Sequence, residues 1–157
     1  MDLIVQKATE LGVSKIVPVQ MERCVSRIAP QDVSRKLERW RRIVREAGKQ
    51  CGRSVIPKIT EPYTLFSLPA LHPSPELNIV PWEEVTGNGP LAFHDAHPNL
   101  SSLGILIGPE GGITHDEIDW LEKAGFLPIT LGKRILRTET AGIAAVSSLM
   151  CLYGEME

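Results

Sequence analysis

At 157 residues, with 43% hydrophobic and 23% charged side chains, the chain has the size and composition of one ordinary globular domain. Such a length buries roughly 68–70% of the unfolded surface and needs no disulfide or metal staple, and no apolar run approaches the ~20 residues that span a bilayer. The net charge of −2 hides an asymmetry: residues 23–58 hold 11 Lys and Arg against 3 Asp and Glu, a net of +8, and the rest of the chain carries a net of −10. One basic block in a near-neutral chain reads either as a surface for an anionic partner or as an ordinary solvated helix face. The amphipathic opening around Asp2 and Lys7 is unlike a signal peptide. Cys24, Cys51 and Cys151 are odd in number, widely spaced and free of any CxxC, which suits a reducing compartment, here the cytoplasm.

In chain order, residues 2–11 read as a helix with Leu3, Ile4, Ala8 and Leu11 on one face and Gly12 just past its end. Residues 15–19 read as a short buried strand. Residues 32–50 form the clearest helix: Val33, Leu37, Trp40, Val44 and Ala47 line one side, and Arg35, Arg39, Arg42, Arg45 and Lys49 gather opposite. Glu38 and Arg42 stand at i,i+4 for a pair. A strand is expected at 55–59, with Pro57 favouring an edge. Residues 77–80 and 91–93 read as further strands in a stretch punctuated by Pro69, Pro73, Pro75, Pro81, Pro90 and Pro98.

The last third is more regular. Residues 103–107 are a near-continuous apolar run, as in a parallel strand covered on both faces. They lead into Gly108-Pro109-Glu110-Gly111-Gly112, after which Thr114 and Glu117 match a capping box for a helix carrying Ile118, Trp120 and Leu121 and stopping near Gly125. A strand is expected at 128–131, a polar loop at 132–138, and a final helix at 139–153 that is apolar nearly all round, hence buried in a core or a subunit interface. Strands alternating with helices define an α/β domain with a mostly parallel sheet, in which ligands bind beyond the carboxyl ends of the strands.

Two such loops carry unusual residues. The Gly108–Gly112 turn follows a strand and precedes a helix start, but it has neither a P-loop nor a GxGxxG pattern, and Glu110 would repel a phosphate. It suits a ligand with hydroxyls or positive charge, and reads equally as a plain turn. The second loop places Lys133, Arg134 and Arg137 beside Ile135 and Leu136, whose apolar side chains argue against full exposure. Glu139 falls in the first turn of the last helix, where the macrodipole favours an anion. His94, Asp95 and His97 are too few to specify a metal. His115 reads as a first-turn helix residue, and Trp40, Trp82 and Trp120 as packing residues.

The run Ile107-Gly108-Pro109-Glu110-Gly111-Gly112, followed by Leu131-Gly132-Lys133-Arg134-Ile135-Leu136-Arg137-Thr138-Glu139-Thr140-Ala141, resembles the signature of the bacterial 16S ribosomal RNA uracil-N3 methyltransferases of the SPOUT superfamily. Gln6-Lys7-Ala8-Thr9-Glu10-Leu11-Gly12-Val13, Glu38-Arg39-Trp40 and residues 46–53 resemble further shared blocks. The resemblance spans nearly the whole chain and is weakest between residues 60 and 100.

The resemblance implies an α/β domain over 1–157 whose C-terminal part forms a deep trefoil knot, a homodimer, and S-adenosylmethionine bound bent within the knot. It places Leu106, Ile107, Gly108, Pro109, Glu110, Gly111, Gly112, Leu131, Gly132, Ile135, Leu136, Arg137, Thr138 and Ala141 along the donor, with the backbone of Leu131, Ile135 and Leu136 at the adenine. Full-length members also carry an N-terminal RNA-binding β-barrel, which is not expected within residues 1–157. The implied partner is 16S ribosomal RNA in the small subunit, with no membrane involved.

Methylation at N3 of a uridine needs no covalent enzyme nucleophile, so the cysteines carry no catalytic role, and Cys51 stands where members often have a small polar residue. Arg137 is the expected stabiliser of charge developing on the uracil carbonyls, and Glu139 the expected proton acceptor. Arg23, Arg27, Arg39, Arg42, Arg53, Lys133 and Arg134 form the expected RNA surface. The rival readings are a related knotted enzyme with another target atom or RNA, and a non-catalytic RNA-binding protein.

Overall fold

The computed structural model describes residues 1–70 and 74–156; Pro73, one of the expected loop-breaking prolines, and Glu157, the last residue of the expected domain, lie outside the described residues. Helix α1 (Asp2–Glu10) ends where Gly12 adopts φ +95°, the left-handed conformation that glycine adopts without steric cost. The Val13 N–H then reaches back to the Ala8 carbonyl at 3.0 Å and the Gly12 N–H to that of Thr9 at 3.3 Å, satisfying two otherwise orphaned acceptors. The buried side of α1 is Val5 and Thr9 rather than the expected Leu3 face. Leu3 is exposed, because helix α2 (Val33–Gln50) packs against the Val5 side.

The strand expected at 15–19 splits into β1 (Lys15–Ile16) and β2 (Val19–Gln20), parted at Pro18, which has no N–H for a ladder. Each pairs in parallel with a later partner, β1 with β3 (Lys58–Ile59) and β2 with β4 (Tyr63–Thr64). Strand β3 is shorter than expected: Val55 and Ile56 are exposed, and burial begins at Pro57 and Ile59. Helix α2 buries Leu37, Trp40 and Val44 against Val5, Ile16 and Ile59, and Ala47 is buried on the same side. Its arginines face solvent, as their spacing predicts. The Glu38–Arg42 pair is not formed among the described residues; the ion pairs of this region are Arg35–Asp32, Arg39–Asp2 and Lys49–Glu46.

The second half is built on a parallel sheet of order β6-β5-β7: β5 (Leu77–Pro81), β6 (Leu103–Ile105) and β7 (Phe126–Ile129). Strand alternation sends Val80 to one face and Ile79 to the other, and both are fully buried. Val80 packs with Leu106, Ile113, Ile118 and Leu121, the last two from helix α4 (His115–Lys123). Ile79 packs with Phe93, Ile129 and Leu149, from helix α3 (Pro90–Ala96), β7 and helix α5 (Thr138–Leu152). Layers on both faces make this a helix–sheet–helix sandwich.

Three expectations are corrected. Residues 91–93 lie in helix α3, not a strand: Gly89 is an extended N-cap and Pro90 fills the first helical position, where its fixed φ and missing N–H cost nothing. Strand β7 begins two residues earlier than expected, at Phe126, directly after the turn at Gly125. Helix α5 is not buried all round. Within one chain only Ala145 and Leu149 are fully buried, and the other residues from 141 to 150 are half-buried, with α3 and α1 both packed against the helix.

Candidate donor and RNA site

Because β5, β6 and β7 are parallel, the segments leaving their carboxyl ends share one edge of the sheet. Those segments are residues 82–89, 106–114 and 130–137. Backbone bonds stitch the first to the third: Trp82 N–H donates to Ile129 O and Thr130 N–H to Asn88 O, both at 2.9 Å. The Thr138 hydroxyl ties the second to the third by donating to Gly108 O at 3.1 Å. A Cβ placed on Gly112, itself at φ +77°, would stand 3.4 Å from a Glu83 carboxylate oxygen, so the first segment also borders the glycine turn. Sequence reasoning missed this segment. Its position directly after the strand at 77–80 was the signal that could have found it.

The capping box is present as read from the sequence. Thr114 Oγ1 accepts from the Glu117 N–H at 3.2 Å and Glu117 Oε2 from the Thr114 N–H at 3.0 Å. This fixes the start of α4 immediately after the turn. Leu106 anchors the turn from the other side, its side chain in the core. Ile107, Gly108 and Pro109 are half-buried, and Glu110 and Gly111 are exposed. Ile107 to Glu110, with Thr138 and Glu139, also border a long crevice of about 1260 Å³ between α1 and α5. Leu131, Gly132, Ile135, Leu136 and Ala141 do not border it, so the crevice and the expected donor positions overlap only at one end.

The 130–137 loop corrects one expectation: Ile135 is 86% exposed, projecting from the fold, whereas Leu131 and Leu136 tuck in partway. A Cβ on Gly132, at φ +101°, would meet nothing within 4 Å. Among the described residues, the N–H groups of residues 133–136 make no hydrogen bond. Arg137 is the N-cap of α5, exposed, and among the described residues its guanidinium has no partner. Glu139 sits in the first turn, half-buried, and Ala141 is half-buried one turn in.

The expected RNA-facing cations separate into different environments. Arg23 donates to Gly111 O at 3.4 Å and Arg27 to Glu22 O at 3.3 Å, both from an exposed loop beside the glycine turn. Lys133 and Arg134 are exposed on the 130–137 loop. Arg39 is engaged by Asp2, and Arg42 borders a hollow with Asp2 and Glu46. Arg53 is structural: it donates to Thr9 O and Val13 O, both at 2.9 Å, clamping the end of α1.

Shifted acid–base groups lie elsewhere. The Ser101 amide and hydroxyl hold Glu76 below the usual carboxylate range, and burial, with the Glu76 charge, raises Tyr153. Trp40 is buried in the core as expected, and Trp82 and Trp120 pack partly buried against the β5–α4 cluster.

A parallel sheet with a glycine turn, a basic loop and a capped helix gathered at its carboxyl edge defines an α/β ligand-binding domain. The model of the RNA methyltransferase domain family matches residues 1–150, and the chain belongs to that family. Among curated relatives, the ribosomal RNA small subunit methyltransferase E of Buchnera aphidicola subsp. Acyrthosiphon pisum is 34% identical over 157 residues, and that of Bacillus subtilis 34% over 153. These alignments cover 100% and 95% of this chain, and 60% of each relative's length. Among solved structures, a Neisseria gonorrhoeae ribosomal RNA small subunit methyltransferase E bound to S-adenosyl methionine superposes with a TM-score of 0.84 at 35% identity, covering 99% of this chain and 63% of that one. A Legionella pneumophila methyltransferase in complex with the cofactor superposes at 0.87 with 34% identity, covering 96% and 60%.

Proposed function

We propose that this chain is the catalytic domain of an S-adenosylmethionine-dependent methyltransferase acting on N3 of a uridine in 16S ribosomal RNA of the small subunit, in the cytoplasm. The observation that carries the reading is the junction of the two signature loops through the Thr138–Gly108 bond, in a chain similar over nearly its whole length to donor-bound methyltransferases.

The residues present fit the donor. Backbone N–H groups at 133–136, free among the described residues, lie beside apolar Leu131, Ile135 and Leu136 and suit an adenine, a flat apolar ring rimmed by acceptor nitrogens. Glu110, within the turn, and Glu83, whose carboxylate borders Gly112, suit the ribose hydroxyls and the positive charges of the amino group and sulfonium. S-adenosylmethionine supplies the electrophilic methyl group. Arg137, at the mouth of α5 and without a partner among the described residues, stabilises negative charge on the uracil carbonyls as the N3 proton leaves. Glu139, in the same helical turn, accepts that proton.

Arg23, Arg27, Lys133 and Arg134 hold the RNA by its phosphates, with Arg39, Arg42 and the exposed face of α2 extending that surface. Arg53, whose Nη1 is taken by two backbone carbonyls, is assigned a structural role rather than one in that surface. A second copy of the chain covers the crevice bordered by Ile4, Ala8 and Leu11 of α1 and Ile143, Val146 and Met150 of α5, making a homodimer. The segment from β6 to α5 forms the trefoil knot that the resemblance implies, which tracing the chain in a donor-bound crystal structure tests.

The deciding experiment incubates the protein with labelled donor and small ribosomal subunits, then identifies the product nucleoside by mass spectrometry. The reading requires 3-methyluridine. A methylated ribose or another base would move the chain to a different target, and no incorporation despite donor binding would remove the acceptor assignment.

A further inference from the structure

The capping-box glutamate of α4 has an attachment that a helix cap does not need. Glu117 is only 3% exposed. While Oε2 closes the box, Oε1 accepts from the Glu22 N–H at 2.8 Å, 95 residues away in sequence. A buried carboxylate is costly unless its oxygens are paired, and here each oxygen is paired with a different segment. The two segments meet again at Gly111. A Cβ on that residue would stand 2.8 Å from both Cβ and O of Arg23, so glycine permits the contact, and the Arg23 guanidinium donates to Gly111 O at 3.4 Å. Met21 adds an apolar anchor, packed with Ile113 and Ile118. Past these anchors the loop is open: Val25 is 82% exposed, and Arg27 is exposed.

We propose that Glu117 is a positioning residue that couples the 108–112 turn to the loop carrying Arg23 and Arg27, so that ordering of the turn by the methyl donor also orders the cations that meet RNA. The inference rests on the turn being part of the donor site. The coupling element is short and stiff: one buried carboxylate spans the start of α4 and the start of the basic loop. Donor binding and RNA binding then favour each other without any direct contact between the two ligands.

Amide hydrogen exchange with and without S-adenosylmethionine tests this on the wild-type chain and on Glu117→Ala, Glu117→Gln and Thr114→Ala. In the wild type the donor slows exchange in 108–114 and also in 21–27. In Glu117→Ala the donor still protects 108–114 but no longer 21–27, and Glu22 exchanges about tenfold faster. Thr114→Ala breaks the same helix cap and leaves the Glu22 bond, so both segments stay protected. If Glu117→Ala does not fold, Glu117→Gln decides, since its single carbonyl oxygen cannot serve both N–H donors as the carboxylate does. Wild-type protection confined to 108–114, or loss of the 21–27 protection in Thr114→Ala, would overturn the coupling. Absence of protection at 108–114 in the wild type refutes the donor-site reading instead, and the coupling falls with it.

Discussion

The hydroxyl of Thr138, the first residue of α5, donates to the carbonyl oxygen of Gly108 at 3.1 Å across 30 residues of sequence. It fastens the turn after β6 to the loop after β7, the two segments with which the donor is expected to make contact. Thr138→Val keeps the shape and removes the donor hydrogen. Loss of one such bond is worth about 1 kcal/mol, so affinity for S-adenosylmethionine should fall about fivefold, with Thr138→Ser restoring most of it. Calorimetry checks both, and unchanged affinity in the valine variant would make the bond incidental.

Arg53 illustrates a cation that charge counting assigns to RNA and packing assigns to structure. Its guanidinium meets Thr9 O and Val13 O at the carboxyl end of α1, where a positive charge also suits the helix dipole. Arg53→Ala should destabilise the fold by about 2 kcal/mol, or ~4–8 °C in melting temperature for a domain of this size. Arg53→Lys should recover part of that, because both bonds leave the single nitrogen Nη1 and an ammonium also carries several donors, though on a different stem. Thermal unfolding reads the effect, and a melting temperature within a degree of wild type would refute it.

Arg137 and Glu139 should separate donor binding from transfer. Arg137→Ala is expected to lower the rate of methyl transfer at least about a hundredfold while donor affinity stays measurable. Glu139→Gln should lower kcat less at high pH than at neutral pH, since solvent can then take the N3 proton. Single-turnover kinetics with labelled donor distinguishes these, and normal turnover in Arg137→Ala would remove its role.

RNA affinity should fall steeply with salt. For single-stranded RNA, each phosphate contact contributes roughly −0.7 to the slope of log K against log salt. Removing Lys133 and Arg134 together should flatten the slope by about 1.4, and removing Arg53 should leave it unchanged in any variant that remains folded. Filter-binding titrations across salt concentrations measure both, and a flat wild-type response would argue for ordinary solubilising charge.

Much of this architecture is legible in the sequence where one local rule decides. The spacing of Leu37, Trp40, Val44 and Ala47 defines α2, and Thr114 with Glu117 defines the start of α4. The glycine turn after a buried strand marks one segment of the site. Tertiary partners are what local rules do not carry. Leu91 to Phe93 read as a strand because three residues show no period, and Gly89-Pro90 was the better signal. The parallel pairing of Lys15 with Lys58 joins segments with no local mark of partnership. The second bond of Glu117 and the clamp of Arg53 depend on distant backbone groups that no spacing reveals. The exposure of Ile135 runs against its hydrophobicity, and nothing in the local spacing marks it.

The most direct test is calorimetric titration of S-adenosylmethionine into the wild-type chain and into Gly111→Leu, whose side chain would strike the Arg23 backbone and distort the turn. A donor site at the turn requires saturable binding with a Kd on the order of micromolar for wild type and its loss in a variant that remains folded. Absence of binding to the wild-type chain, or equal binding to both proteins, would contradict it.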